Sequence, residues 1–382
     1  MPDWAFNLSL KAQMFNNSDP GLNFPRPFHF PLPRNPDGLP DTAACQNHSF
    51  FDYYLTYESA AAFRSLYHDP PTMELFGDSW AAVAKFLRGT SGVIGYELIN
   101  EPWAEVKWGT AFSDNYTLGE LYSYLHQRIR AEDNDTVLMY EPLAINSYVS
   151  VVGHTTNFPP GGPGGLDYAD RQLFAYHSYC PNDAQGVPYP WAVCSALVKA
   201  SWEGVTRDLK QVQNGGFMTE FGAVGDDPTS VKLIHMQTES ADLQLQSWVY
   251  WTYKGFDDIT TQNAATESFF FSNGTVQMNK VRALARTYAQ ATSGQPTAMK
   301  FDPQSNVFWL NYTTLAGVKG PTEIFVFEDH YPSGVSVSIL PGDVATWKVH
   351  WKPYGLVQIT HATDLAAGTN ISVCVKPATA AN

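Results

Sequence analysis

The amino-acid sequence predicts an α/β protein in two parts: a barrel-type array of βα units over residues 1–294 and an antiparallel β-sandwich over residues 295–382. Three observations predict it. From residue 93 onward, short apolar runs alternate with helical patterns, as parallel βα units do. Carboxylates and aromatic residues follow the ends of those runs, which is where a parallel barrel keeps its chemistry. Beyond Thr292-Ser293-Gly294-Gln295-Pro296 the period falls to 2 and Gly/Pro turns separate the runs.

Taken in order, residues 1–69 are rich in Pro, Asn and Phe and keep no period, which predicts a long ordered loop with short helices. Trp80, Val83, Ala84 and Leu87 have helical spacing and Gly89 supplies a stop, so a helix is expected over 79–88. Five strands are expected, at 93–99, 136–140, 173–176, 216–219 and 247–250. Helices are expected between them at 118–132, 202–213 and 231–245, the first with Leu121, Leu125 and Ile129 on one stripe. A last helix is expected over 280–291. Sandwich strands come after it at 307–312, 322–327, 335–339, 346–351, 356–359 and 371–375.

Of the 382 residues 44% are hydrophobic and 16% charged, which excludes a disordered chain and leaves enough apolar surface for a sizeable core. Against 37 acidic residues stand 23 basic ones, a net charge of −14 with no Lys/Arg run, so nucleic acid is excluded as a partner. The 11 Trp, 20 Tyr and 23 Phe supply flat apolar faces of the kind that stack on sugar rings, although core filling accounts for most of them. The four cysteines show no C-x-x-C spacing and no His/Glu cluster has ligand spacing, so neither a metal nor any other cofactor is expected. Cys180 and Cys194 are expected to bridge a short loop. Asn-x-Ser/Thr sequons start at Asn7, Asn16, Asn47, Asn115, Asn134, Asn273, Asn311 and Asn370, an excess that points to a secretory or lysosomal compartment. The opening Met1-Pro2-Asp3-Trp4-Ala5-Phe6 has no signal-peptide pattern, and no run of 18 apolar residues occurs.

The sharpest chemical signal is Ile99-Asn100-Glu101-Pro102-Trp103, an apolar strand ending in a carboxylate. Phe217-Met218-Thr219-Glu220-Phe221-Gly222 repeats that context. Two strand-end carboxylates suit glycoside hydrolysis, in which one group protonates the leaving oxygen and the other attacks the anomeric carbon. For either glutamate alone, an ordinary ion pair at a strand end explains the residue equally well. The pair within a βα pattern is what favours catalysis.

Asn100-Glu101-Pro102 with Glu220 resembles glycoside hydrolase family five, whose members are retaining (β/α)8 TIM-type barrels. The fuller string Gly95-Tyr96-Glu97-Leu98-Ile99-Asn100-Glu101-Pro102-Trp103 is similar to the endoglycoceramidases within that family. The resemblance implies hydrolysis of the bond between glycan and ceramide of glycosphingolipids, with Glu101 as acid/base and Glu220 as nucleophile. It implies that Asn100 binds the sugar 2-hydroxyl, that His177 and Tyr179 match the His-x-Tyr after the sixth strand, and that Trp251 floors the first sugar subsite. Phe269-Phe270-Phe271 offers either an apolar wall for ceramide or a buried strand. The His-Gln-Asp segment of the family's third strand has no counterpart here, so the barrel is expected to lack its first three strands and the competent enzyme to be longer, with a signal peptide. A monomer with peripheral contact to membrane lipid is expected. Alternatives within the resemblance are a β-glucosidase on glucosylceramide or steryl glucoside, and a non-catalytic glycolipid-binding remnant.

Overall fold

The computed structural model describes residues 33–36, 41–48, 50–54, 57–105, 114–144, 156–181, 188–256, 264–363 and 365–379. The sequons at Asn7 and Asn16 and most of the Pro-rich opening lie outside them. The chain divides into two compact units, Met1–His177 with Lys199–Phe217, and Ser178–Val198 with Met218–Asn382.

The opening holds three helices among the described residues: α1 (Thr42–Gln46), α2 (Phe50–Tyr54) and α3 (Tyr57–His68). The third is longer than the short helices expected there, and Ala60, Ala61, Ala62, Leu66 and Tyr67 are buried along it. Next comes α4 (Pro70–Leu87), of which the expected helix over 79–88 is only the second half. Its start is encoded in Asp69-Pro70-Pro71: the Asp69 carboxylate accepts the N–H of Thr72 at 3.2 Å and its hydroxyl at 2.7 Å, and proline costs nothing in a first turn. Helix α5 (Asp114–Arg130) lies on α4 where Gly77 meets Tyr124; a Cβ at Gly77 would come within 2.6 Å of that ring. Leu121, Leu125 and Ile129 are fully buried, each contributing about 1.5–3 kcal/mol by leaving water.

Strands β1 (Gly95–Glu97), β2 (Val137–Tyr140), β3 (Gln172–Ser178), β4 (Gly215–Gly222) and β5 (Ser247–Trp251) form one sheet in that order. The pairs β1–β2 and β2–β3 are parallel, with Tyr96 opposite Leu138 and Met139 opposite Leu173. Helices α6 (Trp191–Val212) and α7 (Pro228–Leu243) follow β3 and β4 in the chain. Chain order matches sheet order, so each unit steps one strand onward, as in a parallel barrel.

Helices α8 (Ala264–Glu267) and α9 (Met278–Leu284) lead to the sandwich. The helix expected over 280–291 stops at Leu284, and β6 (Tyr288–Ala291) is a strand paired with β9 (Thr322–Phe325). The reason lies at Arg286, which is 1% exposed: its guanidinium donates to the hydroxyl of Thr238 at 2.5 Å, pairs with Asp242 and covers the Phe301 ring. A buried charge needs such partners, and meeting them takes the chain out of the helix. The two sheets run β10-β13-β8-β7 and β11-β12-β9-β6. They comprise β7 (Gly294–Asp302), β8 (Val307–Thr314), β10 (Val335–Leu340), β11 (Ala345–His350), β12 (Leu356–His361) and β13 (Asn370–Pro377) beside β6 and β9. Among the described residues the sandwich thus has eight strands where six are expected from the sequence, and it begins at Tyr288, before the turn at 292–296. Phe301, Phe308, Leu310, Ile324, Val357 and Val373 fill its core from alternate positions.

Candidate active site

The first cluster stands where β1 ends. Leu98 continues the pairing by donating its N–H to Met139 at 3.0 Å, and its own carbonyl accepts the Trp80 indole N–H at 3.1 Å. The chain then turns sharply, with Glu101 at φ +42°, a left-handed conformation that costs a glutamate about 1 kcal/mol or more. Pro102 and Trp103 are pinned by their carbonyls: Ala144 donates its N–H to that of Pro102 at 2.8 Å and the Tyr67 hydroxyl donates to that of Trp103 at 2.7 Å. Trp103 itself is 3% exposed and packs edge-on against Tyr54, so the tryptophan after Asn-Glu-Pro anchors the turn within the core.

The Glu101 side chain is 26% exposed, and its Oε1 lies 2.8 Å from His177 Nδ1 on β3. A third residue completes this cluster and was not singled out from the sequence. Glu141, 1% exposed just past β2, turns Oε1 to the Glu101 N–H at 3.4 Å and Oε2 to His177 Nε2 at 3.5 Å. Burial pushes its carboxyl well above the usual range; the His177 ring opposes that rise, while Glu97 and Glu101 add to it. The signal for it was in the chain, since Tyr140-Glu141-Pro142 repeats the pattern of a strand ending in Glu-Pro.

The second cluster stands where β4 ends. Tyr179 donates its hydroxyl to Glu220 Oε2 at 2.7 Å. Gly222 has φ +113°, and a Cβ there would lie 2.2 Å from the Tyr250 ring, which is why glycine closes this strand. Ala223 donates its N–H to the carbonyl of Trp251 at 2.9 Å, tying the Glu220 strand to the end of β5. Beyond Trp251 the chain is held by Thr252, whose N–H reaches the Glu267 carbonyl at 3.1 Å, and by buried Lys280, whose Nζ donates to the Ser268 carbonyl at 2.6 Å. Cys180 and Cys194 form a disulfide with Cα atoms 5.2 Å apart. Cys194 sits in the first turn of α6, not in the loop where it is expected from the sequence.

Each expected site residue therefore has a place: Glu101 with His177, Glu220 with Tyr179, Asn100 exposed at the turn before Glu101, and Trp251 at the end of β5, where its carbonyl accepts from Ala223. A carboxyl group held by an imidazole and a carboxylate held by a phenol are the working parts of acid/base and nucleophilic catalysis. Residues 47–257 match the model for cellulase (glycosyl hydrolase family 5), and residues 286–375 match the glycoside hydrolase family 5 C-terminal domain. The chain belongs to glycoside hydrolase family 5. It is 29% identical to the endoglycoceramidase of Cyanea nozakii over 97% of its own length and 70% of that protein, and 30% identical to that of Hydra vulgaris over 89% and 61%. It therefore spans 70% and 61% of the curated relatives it matches. Among solved structures, the ganglioside GM3 complex of endo-glycoceramidase II from Rhodococcus sp. superposes with a TM-score of 0.72 at 20% identity, covering 91% of this chain and 71% of that one. That likeness shows the fold, and with the family match it bears out a TIM-type barrel followed by a β-sandwich, with five barrel strands among the described residues.

Proposed function

We propose that this glycoside hydrolase is a retaining endo-β-glycosidase that cuts between the glycan and the ceramide of glycosphingolipids. The observation that carries the substrate class is the alignment of two endoglycoceramidases with 97% and 89% of the chain. Glu220 attacks the anomeric carbon while Glu101 gives its proton to the ceramide oxygen, and the C–O bond to ceramide breaks. Glu101 then takes a proton from water, which displaces Glu220 and frees the glycan. Retention requires the two carboxyl groups to stand about 5–5.5 Å apart. The Tyr179 hydroxyl supports the nucleophile's role by holding a carboxylate charged and oriented. On lactosylceramide labelled in its acyl chain, the enzyme should release intact lactose and labelled ceramide. Release of galactose first would make it an exo-enzyme, and near-normal turnover by Glu220→Gln would remove the nucleophile from its role.

We also propose a secreted or lysosomal glycoprotein that acts as a monomer with peripheral lipid contact. The Cys180–Cys194 disulfide fits an oxidising compartment. Asn47, Asn115, Asn134, Asn273, Asn311 and Asn370 are all exposed. Tyr253, Phe256 and Phe271, at 62%, 61% and 39% exposure, follow Trp251 and give lipid an apolar surface. Glycopeptide mapping and light scattering of secreted material and a vesicle flotation assay test these three points.

A further inference from the structure

Glu141 takes no part in the chemistry assigned above, yet one of its oxygens is turned toward Glu101 and the other toward the histidine that Glu101 contacts. One oxygen faces the backbone N–H of Glu101 at 3.4 Å; the other faces His177 Nε2 at 3.5 Å, while His177 Nδ1 meets the Glu101 carboxyl at 2.8 Å. The three residues close a ring. Glu141 touches Glu101 twice through it, once at the left-handed backbone and once, by way of the imidazole, at the reacting carboxyl. Its own backbone is fixed from the other side by Tyr122, whose hydroxyl donates to the Glu141 carbonyl at 2.8 Å.

We propose that Glu141 is a positioning residue for Glu101: it holds the strained turn and fixes the His177 ring with its Nδ1–H directed at the Glu101 carboxyl. The proposal rests on Glu101 being the acid/base. The charges around the ring agree with it. Glu97, Glu101 and Glu141 all face His177, and the ligand atoms of Glu97, Glu141 and His177 lie within 4.8 Å of one another. Carboxylates crowded around a neutral imidazole, with Glu141 and His177 at 1% and 3% exposure, repel strongly, so the cluster keeps a proton. Burial places it on the Glu141 carboxyl, whose Oε2 faces His177 Nε2 at 3.5 Å. Nδ1 then carries the other hydrogen. When Glu101 passes its proton to the ceramide oxygen, the carboxylate left behind accepts the Nδ1–H bond at full strength, so the contact favours the state in which the proton has been delivered.

The test separates positioning from mere folding. Glu141→Ala, Glu141→Gln and Glu101→Ala are made in the full enzyme and assayed on a glycosphingolipid, whose alkoxide leaving group needs the proton, and on a 2,4-dinitrophenyl β-lactoside, whose leaving group does not. Glu141→Ala should lower kcat on the glycolipid by about 10- to 100-fold with little change in KM, part of the ~10²–10⁴ that acid catalysis contributes. The burst of dinitrophenolate should change much less, the basic limb of the pH profile should move, and Glu141→Gln, which can still serve both contacts, should recover most of the loss. Equal slowing on both substrates, or an unmoved pH profile, overturns the proposal. If instead Glu101→Ala slows the dinitrophenyl burst as much as glycolipid turnover, it is the acid/base assignment that fails. Nitrogen-15 spectra of His177 give an answer that needs no turnover: the wild type and Glu141→Gln should both show the Nδ1–H form at neutral pH. A wild-type ring with its hydrogen on Nε2, or one that titrates as an exposed histidine does, also overturns it.

Discussion

The hydroxyl of Tyr179 donates to the carboxylate of Glu220 at 2.7 Å, and the residue after Tyr179, Cys180, is covalently bound to the first turn of α6. A hydrogen bond to a charged carboxylate contributes about 1.5–3 kcal/mol, more than a neutral pair does. Tyr179→Phe should therefore lower kcat/KM by about 10- to 100-fold, since about 1.4 kcal/mol is a factor of ten. The donor favours the charged form of Glu220, so removing it makes the carboxylate easier to protonate, and the acidic limb of the pH–rate profile should move to higher pH. An unchanged acidic limb would mean that Tyr179 does not tune Glu220.

Much of this arrangement was legible in the chain. Strand-end glutamates before Pro102 and before Phe221-Gly222 announced the two clusters, and the stripe Leu121, Leu125, Ile129 announced the face of α5 that is buried. Other features depend on distant partners that no local pattern carries. Arg286 ends a helix because Asp242, forty-four residues earlier, waits for its charge. Glu141 shares the strand-end Glu-Pro pattern, but its partner His177 reaches it only through the pairing of β2 with β3. The edge strand β7 has Gly294, Pro296 and Ala298 where β-branched residues would have marked it, and its pairing with β8 supplies what its propensity lacks.

Gly222 and Gly89 both have positive φ, at 113° and 69°, but only Gly222 has a neighbour in the way. Gly89→Ala should cost about 1 kcal/mol of stability, the conformational part alone. Gly222→Ala must also move the Tyr250 ring, whose hydroxyl donates to the Val224 carbonyl at 3.2 Å, and should cost more than about 2 kcal/mol. Because Gly222 stands two residues after Glu220, the loss of activity should exceed the loss of folded protein. Denaturant titration and kcat measured on the same two variants check both statements.

His126 on α5 is 6% exposed, packs edge-on against Tyr168 at 4.6 Å and has Arg130 and Arg171 near it. Burial, with help from the two guanidinium groups, lowers its pKa from 6.5 to about 4. The folded state therefore holds the neutral ring and the unfolded chain binds more protons between those values, so stability present above pH 6.5 falls as the pH drops toward about 4. The size is of the order of 3 kcal/mol. His126→Phe should flatten that part of the stability–pH curve; a slope as steep as the wild type's would place the loss elsewhere.

The disulfide offers the last test, because it joins stability to the position of Glu220's partner. Cys180 and Cys194 are 14 residues apart, and closing a loop of that size contributes about 3 kcal/mol by restricting the unfolded chain. Cys194→Ser should lose about that much, read as a lower denaturation midpoint. The bridge also fixes the backbone directly after Tyr179, on the side opposite Ser178, whose carbonyl and hydroxyl both accept from Gln237 Nε2 at 3.1 and 2.7 Å. Tyr179 is thus held between an anchor to α7 and an anchor to α6. Freeing one of them should let the phenol wander from Glu220, so Cys194→Ser should reproduce, in milder form, the shift of the acidic limb expected for Tyr179→Phe. Gln237→Ala should do the same from the other side while the disulfide stays intact. A Cys194→Ser enzyme that is less stable but has the wild-type pH profile would confine the disulfide to holding the fold together and leave the α7 anchor to position Tyr179 alone.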